Sequence, residues 1–299
     1  MGHVVWTQWD DLNAPAGLTV LGPSSAPIGS DAQLVATFYV PPYMSGLDGL
    51  EPIRAMPDLQ YVQLPNAGYD DAVAFRRNGL VFCNARGVHD ISTAELALGL
   101  TIASLRQLDS FVLAQSSGTW LPGGQASLAH KRVALVGYGS IGQTIGRLLE
   151  PFGTEVEAFT RSGLGGTHSM AEFDDLLPTF DVVILILPAT PETINLMDQR
   201  RLGLMKDGAL LVNVARGTIV DTDALVRELE SGRIRAAVDV TNPEPLPADH
   251  PLWRAPGAII SPHVGGNSSA FEPAMRALLA EQLSRLVSGE SLLNVVMRD

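Results

Sequence analysis

The chain has 299 residues, of which 46% are hydrophobic and 17% charged, and its formal charge is −12. That length exceeds one ordinary hydrophobic core and predicts two packed domains, while the composition excludes a disordered chain. The acidic balance argues against nucleic acid and anionic membrane as partners.

The one cysteine, Cys83, cannot form an internal disulfide and points to a reducing, cytoplasmic setting. It sits in the apolar run Leu80 to Cys83 and is expected to be a buried small hydrophobe rather than a nucleophile. No secretory signal is expected from Met1 to Trp6, which lacks a basic region followed by a long apolar stretch. The longest apolar run, Val182 to Pro188, is far short of the roughly 20 residues that span a bilayer.

Taken in chain order, the first third alternates short strands with loops rich in Gly and Pro. Strands are predicted at Leu18 to Val20, Leu34 to Phe38, Tyr61 to Leu64 and Val81 to Phe82, with a helix-compatible stretch from Asp70 to Arg77. A long helix is predicted from Ser92 to Ala114, with Ser92 and Glu95 at capping-box spacing. After a glycine-rich connection from Ser116 to His130, strands and helices alternate. Strands are predicted at Val133 to Val136, Val156 to Phe159, Val182 to Leu187, Ala209 to Val214, Ala236 to Val240 and Ala258 to Ile260. Helices are predicted at Ile141 to Leu149 and Asp223 to Glu230. Strands apolar on both faces, spaced by helices, predict a doubly wound parallel sheet. A final helix, Phe271 to Val287, precedes Leu292 to Val296.

Val133 to Val136 runs directly into Gly137-Tyr138-Gly139-Ser140-Ile141-Gly142, where a helix begins. In such a turn Gly137 permits the sharp bend, Gly139 lets the backbone approach a pyrophosphate and Gly142 lets helix and strand pack closely. The helix start faces the phosphates with unpaired N–H groups and a positive dipole end. The second strand of the unit ends in Thr160, Arg161 and Ser162, with no acid at the position that would accept from a ribose 2′-hydroxyl. An arginine there favours a 2′-phosphate, so NADP(H) is expected in preference to NAD(H), with Arg161 on the phosphate. Glu157 falls too early on the strand to serve as the ribose ligand.

Three further segments end strands on the ligand-binding side of the sheet: Asn213 to Gly217, Val238 to Pro245 and Ser261 to Gly266. In this order after the glycine turn, and together with Leu187-Pro188-Ala189-Thr190-Pro191-Glu192-Thr193 and Met205 to Gly208, they resemble the D-isomer-specific 2-hydroxyacid dehydrogenase family. Asp239 to Pro247 is most similar to the glyoxylate and hydroxypyruvate reductase branch. The resemblance runs from about Asn84 to the final helix and implies a Rossmann domain over 98–270. A smaller flavodoxin-like α/β substrate domain would comprise 1–97 and 271–299, with hinges near Gly87 to Thr93 and Gly265 to Ala270. It also implies a homodimer.

The reaction implied is hydride transfer between NADPH and a small 2-oxoacid, giving a D-2-hydroxyacid. His263 suits proton transfer, Glu244 would orient and charge its ring, and Arg216 would bind the substrate carboxylate and polarise the ketone. By the resemblance, Asp239 orients the nicotinamide carboxamide. Further cofactor contacts fall to Ser140, Ile141, Leu187, Pro188, Thr193, Val214, Ala215 and Gly265. Asn66, Ala67 and Gly68, ahead of a helix start at Asp70 that would favour anions, would receive the substrate carboxylate with Arg216 and His263, as the matching loop does in the family. The resemblance also implies that a phosphite-oxidising relative would carry a lysine at the position of Ala67 and a formate-oxidising one a glutamine at that of Glu244, so these two oxidations are less favoured. A dinucleotide-sensing regulatory protein of the same fold is the alternative from another class. No His, Cys or Asp spacing suggests a metal.

Overall fold

The computed structural model describes residues 2–298, so Met1 and Asp299, the ends of the smaller domain as read from sequence, lie outside the described residues. The chain divides into two compact units: Met1–His89 with Ser269–Asp299, and Asp90–Ser268. The sequence reading drew its boundary at 97/98, inside the helix that opens the second unit.

The first unit begins with strands β1 (Val4–Trp6), β2 (Thr19–Leu21), β3 (Phe38–Tyr39), β4 (Tyr61–Gln63) and β5 (Val81–Cys83), and a short helix α1 (Asp31–Leu34). These strands are parallel in the order β2-β1-β3-β4-β5, the flavodoxin-like arrangement. The strand expected from Leu34 to Phe38 is shorter and later. Gln33 is buried and its Oε1 accepts from the Gly29 N–H at 2.7 Å, which folds Asp31–Leu34 into a helical turn, and Val35 stays 52% exposed. The stretch after Gly68 is a six-residue 3-10 helix, Asp70–Phe75, rather than an α-helix. Cys83 is buried, and burial pushes its thiol up to about 11.

The second unit opens with α2 (Asp90–Leu105) and α3 (Leu108–Ser116), where one continuous helix was expected. The two meet at 65°. The Ser104 carbonyl closes the last turn on the Gln107 N–H at 3.2 Å and also accepts from Arg235 Nη1 at 2.6 Å, and Gln107 turns left-handed at φ 53°. The expected capping box is also absent: α2 starts at Asp90, and Ser92 lies buried within its first turn, its hydroxyl 2.6 Å from that of Ser268. No single helix among the described residues is long and apolar enough to cross a membrane.

Strands β6 (Arg132–Val136), β7 (Glu155–Thr160), β8 (His168–Ser169), β9 (Val182–Leu185), β10 (Leu210–Asn213), β11 (Arg235–Val238) and β12 (Ala258–Ile260) form a parallel sheet ordered β12-β11-β10-β9-β6-β7-β8. The order reverses between β6 and β9, the switch point at which open α/β sheets bind ligands. Strand alternation sends Ala134, Val136, Val183 and Leu185 into one core, with Phe173 of α5 (Phe173–Leu176), Leu202 of α6 (Gln199–Leu204) and Leu225 and Leu229 of α7 (Thr222–Glu230). Val133, Leu135, Val182 and Ile184 enter the other, with Ala97 and Leu100 of α2 and Ile145 and Leu149 of α4 (Ser140–Leu149). Both faces are therefore covered, as the doubly wound reading required.

The chain returns to the first unit as α8 (Phe271–Ser288), whose Phe271, Met275, Leu279 and Leu283 pack with Val5, Phe38 and Val40. It ends in β13 (Val295–Met297), antiparallel to β5 at the sheet edge.

Candidate active site

The three glycines of the turn do different physical work. At Gly137, φ is +102° and a Cβ would lie 2.6 Å from the Ile186 carbonyl carbon, so only glycine lets β6 and the end of β9 approach this closely. At Gly142 a Cβ would overlap the Gly137 carbonyl oxygen, which holds α4 tight against the turn. Around Gly139, nothing lies within 4 Å of a Cβ. Open space over that residue adjoins the N–H groups at the start of the ten-residue α4, where Ser140 and Ile141 lie, and such a place suits a pyrophosphate. Ser140 Oγ also donates to Asp90 at 3.0 Å, tying the turn to the start of α2.

The loops after the neighbouring strands flank this space, because β6 lies between β9 and β7. After β7, Thr160 Oγ1 is 2.7 Å from Thr167 Oγ1 and accepts from the Gly163 N–H, folding the loop that carries Arg161 and Ser162. Arg161 is 81% exposed and lies 3.5 Å from Glu192. Glu157 is occupied elsewhere, by Arg132 at 2.5 Å and His168 at 3.1 Å. Beyond β9, Leu187 and Pro188 lead to Thr193, whose hydroxyl donates to the Pro188 carbonyl at 2.8 Å and accepts from the Thr190 N–H at 2.7 Å.

At the far strands the polar side chains converge. His263 Nδ1 lies 2.5 Å from Glu244 Oε1, with both side chains partly open to solvent at 47% and 41%. His263 takes φ 53°, a left-handed conformation costly for a residue with a Cβ, and its N–H donates to the Asp239 carbonyl at 2.7 Å. Asp239, 2% exposed, holds the whole loop. Its Oδ1 accepts from Ser261 Oγ at 2.6 Å and the Val264 N–H at 2.9 Å, and its Oδ2 from the Gly265 N–H at 2.8 Å. The carboxylate assigned by resemblance to the cofactor is thus committed to the loop that presents the histidine.

On the adjacent strand end, Asn213 Oδ1 accepts from the Ala215 N–H while its Nδ2 donates to the Arg216 carbonyl. Val214 and Ala215 are buried, and half-buried Arg216 donates through Nη1 to the Ala215 carbonyl at 2.7 Å. A Cβ on Gly217 would overlap the Thr241 carbonyl, so glycine lets the loops after β10 and β11 touch. Arg216, Glu244, His263, Asp239 and the glycine turn all occupy carboxyl ends of this one sheet. Among the described residues, no group of three or more His, Cys, Asp or Glu could hold a metal ion.

Asn66, Ala67 and Gly68 belong to the other unit. Their loop is pinned by Asn84 Nδ2 to the Ala67 carbonyl at 2.6 Å, by the Ala85 N–H to the Asn66 carbonyl at 2.9 Å and by His89 Nε2 to the Pro65 carbonyl at 2.7 Å. His89 is buried and stacks on Phe271, which stacks on Tyr43. The anion-attracting helix start expected behind this loop is not there: the 3-10 helix is short and opens with Asp70 and Asp71. The sequence carries no local signal for Asn84, His89, Ser261 or Glu192 here, because the partners Ala67, Pro65, Asp239 and Arg161 lie 17 to 31 positions away.

A family model described as D-isomer specific 2-hydroxyacid dehydrogenase, NAD binding domain, matches residues 98–265. Glyoxylate reductase of Thermococcus onnurineus is 34% identical over 269 residues, covering 83% of this chain and 79% of the relative. A D-isomer specific 2-hydroxyacid dehydrogenase family protein of Aeromonas salmonicida superposes with a TM-score of 0.88 at 26% identity, covering all of both chains. A D-isomer specific 2-hydroxyacid dehydrogenase of Xanthobacter autotrophicus, solved with NADPH and MES, gives 0.79 at 27% identity over 99% of this chain and 98% of that one.

Proposed function

This chain belongs to the D-isomer specific 2-hydroxyacid dehydrogenase family, whose members are NAD(P)-dependent oxidoreductases, and we propose that it reduces a small 2-oxoacid of the glyoxylate or hydroxypyruvate type with NADPH. In this reading the second unit is the dinucleotide-binding domain and the first is the substrate domain. The glycine turn and the α4 start fit the pyrophosphate, and the bound nicotinamide supplies the hydride.

The protein's own groups handle the carboxylate and the proton. Arg216, in the second unit, binds the substrate carboxylate and polarises the ketone with its fork of donors. In the first unit, the N–H groups of the Asn66–Gly68 loop are the groups we assign to a substrate carboxylate. Glu244 accepts from Nδ1 of His263, so that nitrogen keeps its proton and Nε2 of the imidazolium donates to the developing alkoxide. Solvent access to His263 then allows its reprotonation. Asp239 keeps the histidine loop in place through Ser261, Val264 and Gly265, and the family resemblance assigns its strand end to the carboxamide of the cofactor. Arg161 takes the 2′-phosphate, since no acid ends β7.

The observation that carries this reading is the His263–Glu244 hydrogen bond on a loop locked by buried Asp239, on the same sheet edge as the open glycine turn. The same reading makes the enzyme a cytoplasmic homodimer. Leu108, Val112 and Leu113 of α3 are 44%, 66% and 70% exposed, an apolar face that self-association would cover. A panel of 2-oxoacids assayed with NADPH and NADH tests the function, together with His263→Ala. The variant should lose about 10²- to 10⁴-fold in kcat while its dinucleotide Kd stays within about twofold. An unimpaired variant refutes the proton-donor role, and tight cofactor binding without turnover on any 2-oxoacid favours the sensor.

A further inference from the structure

The loops that follow β7 and β9 lie on either side of β6, and one ion pair joins them: Arg161 Nη2 to Glu192 Oε2, at 3.5 Å. Glu192 is held from its own loop by Thr190 Oγ1, which donates to the same oxygen at 2.7 Å. That hydrogen bond first, then the backbone N–H of Glu192 and the charge of Arg161, hold its carboxyl below the usual range, so it is an anion at any working pH. Between the loops lies the glycine turn, where a Cβ on Gly139 would meet no atom within 4 Å.

We propose that Glu192 sets the discrimination between the two dinucleotides by competing with the 2′-phosphate for Arg161. The inference rests on Arg161 being the 2′-phosphate ligand. A phosphomonoester brings about two negative charges to the guanidinium, displaces the single carboxylate and is repelled by it from nearby. A 2′-hydroxyl brings no charge and leaves the Arg161–Glu192 pair in place across the mouth of β6. Glu192 therefore taxes NADPH and spares NADH, narrowing a preference that Arg161 alone would make wider. Both side chains are open to solvent, at 81% and 66%, so the tax is modest and screened by salt.

The test measures binding rather than turnover. The wild-type chain, Glu192→Gln, Arg161→Gln and the double variant are titrated calorimetrically at low salt with NADPH, NADH, adenosine 2′,5′-bisphosphate and 5′-AMP. Glu192→Gln should bind NADPH and the bisphosphate about two- to fivefold more tightly and NADH and 5′-AMP unchanged. The gain should shrink in 0.5 M salt and vanish in the Arg161→Gln background. A Glu192→Gln chain that binds the bisphosphate no better than wild type overturns the proposal, as does a selective loss of NADH and 5′-AMP binding, which would make Glu192 a ribose ligand. Should the Gln variant melt lower than wild type, Glu192→Ala repeats the comparison. If Arg161→Gln leaves the bisphosphate affinity intact, the premise about Arg161 fails. If it weakens that affinity while Glu192→Gln changes nothing, only the competition fails.

Discussion

Adding one methyl group at each of two glycines in the same turn should produce opposite phenotypes. At Gly137 an alanine Cβ would sit 2.6 Å from the Ile186 carbonyl carbon and 3.1 Å from Leu187 Cβ, at a φ of +102°. The overlap is with backbone at the sheet switch point, so β9 must shift, at about 1–3 kcal/mol for overpacking and a similar amount for the forbidden dihedral. The entropy gained by stiffening the unfolded chain offsets only about 0.4–1 kcal/mol. A net loss of about 2–5 kcal/mol is expected. At Gly139 φ is −73° and no atom lies within 4 Å of a Cβ, so alanine costs the fold nothing and stability should stay within about 1 kcal/mol of wild type. That methyl group occupies the space assigned to the pyrophosphate, and dinucleotide Kd should rise by about tenfold or more. Urea unfolding followed by circular dichroism, with calorimetric titration of NADPH, reads both. A Gly139→Ala chain that binds as wild type, or a Gly137→Ala chain as stable as wild type, refutes the division of labour.

Asp239→Asn keeps the shape but turns one acceptor into a donor. With the amide oxygen kept on Ser261 and Val264, the amide nitrogen faces the Gly265 N–H, leaving a buried donor unsatisfied at about 1–3 kcal/mol. The urea midpoint should fall, and the displaced histidine loop should cost kcat/KM about 10²-fold; wild-type values for both would show that the loop stands without the carboxylate. Asp174 gives a pH signature. Burial alone would raise its carboxyl, but Arg201 at 2.6 Å and Arg200 at 2.7 Å hold it below the usual range. A depressed folded value contributes stability above the unfolded pKa, near about 3.9, and loses it as pH falls through the folded one. Asp174→Asn should therefore melt below wild type at pH 7, with the gap closing on acidification from about pH 4 downward; a gap constant with pH would mean the ion pairs contribute nothing.

What could be read without coordinates was what local chemistry encodes. The Val133 to Leu149 unit reads correctly because strand, glycine spacing and helix are contiguous, and the two-faced apolar strands betray a covered parallel sheet. The break between α2 and α3 could not be read, since Arg235, which also donates to the Ser104 carbonyl where the helix turns, is 131 positions away. Likewise Ser92 has the spacing of a cap, but Ser268 claims its hydroxyl. The apolar run at Leu34 looked like a strand because nothing local shows that Gln33 is buried and bonded to Gly29. At the candidate site, residue types at strand ends marked Arg216, Asp239, Glu244 and His263. The commitment of Asp239 to three donors, and the reach of Glu192 to Arg161, depend on strand order and emerge only from the fold.

The first unit is written in two instalments, with the whole of the second between them. Until α8 emerges, Val5, Phe38 and Val40 lack the apolar partners Phe271, Met275, Leu279 and Leu283, and β5 lacks its edge neighbour β13. At a ribosomal pace of about 5–20 residues per second, that half-built core waits roughly ten seconds or longer while the later unit folds. Newborn chains thus pass through a stage with one finished module and one sticky, open-edged one, which makes this interval the natural point for chaperone capture and for mispairing between neighbouring chains on a polysome.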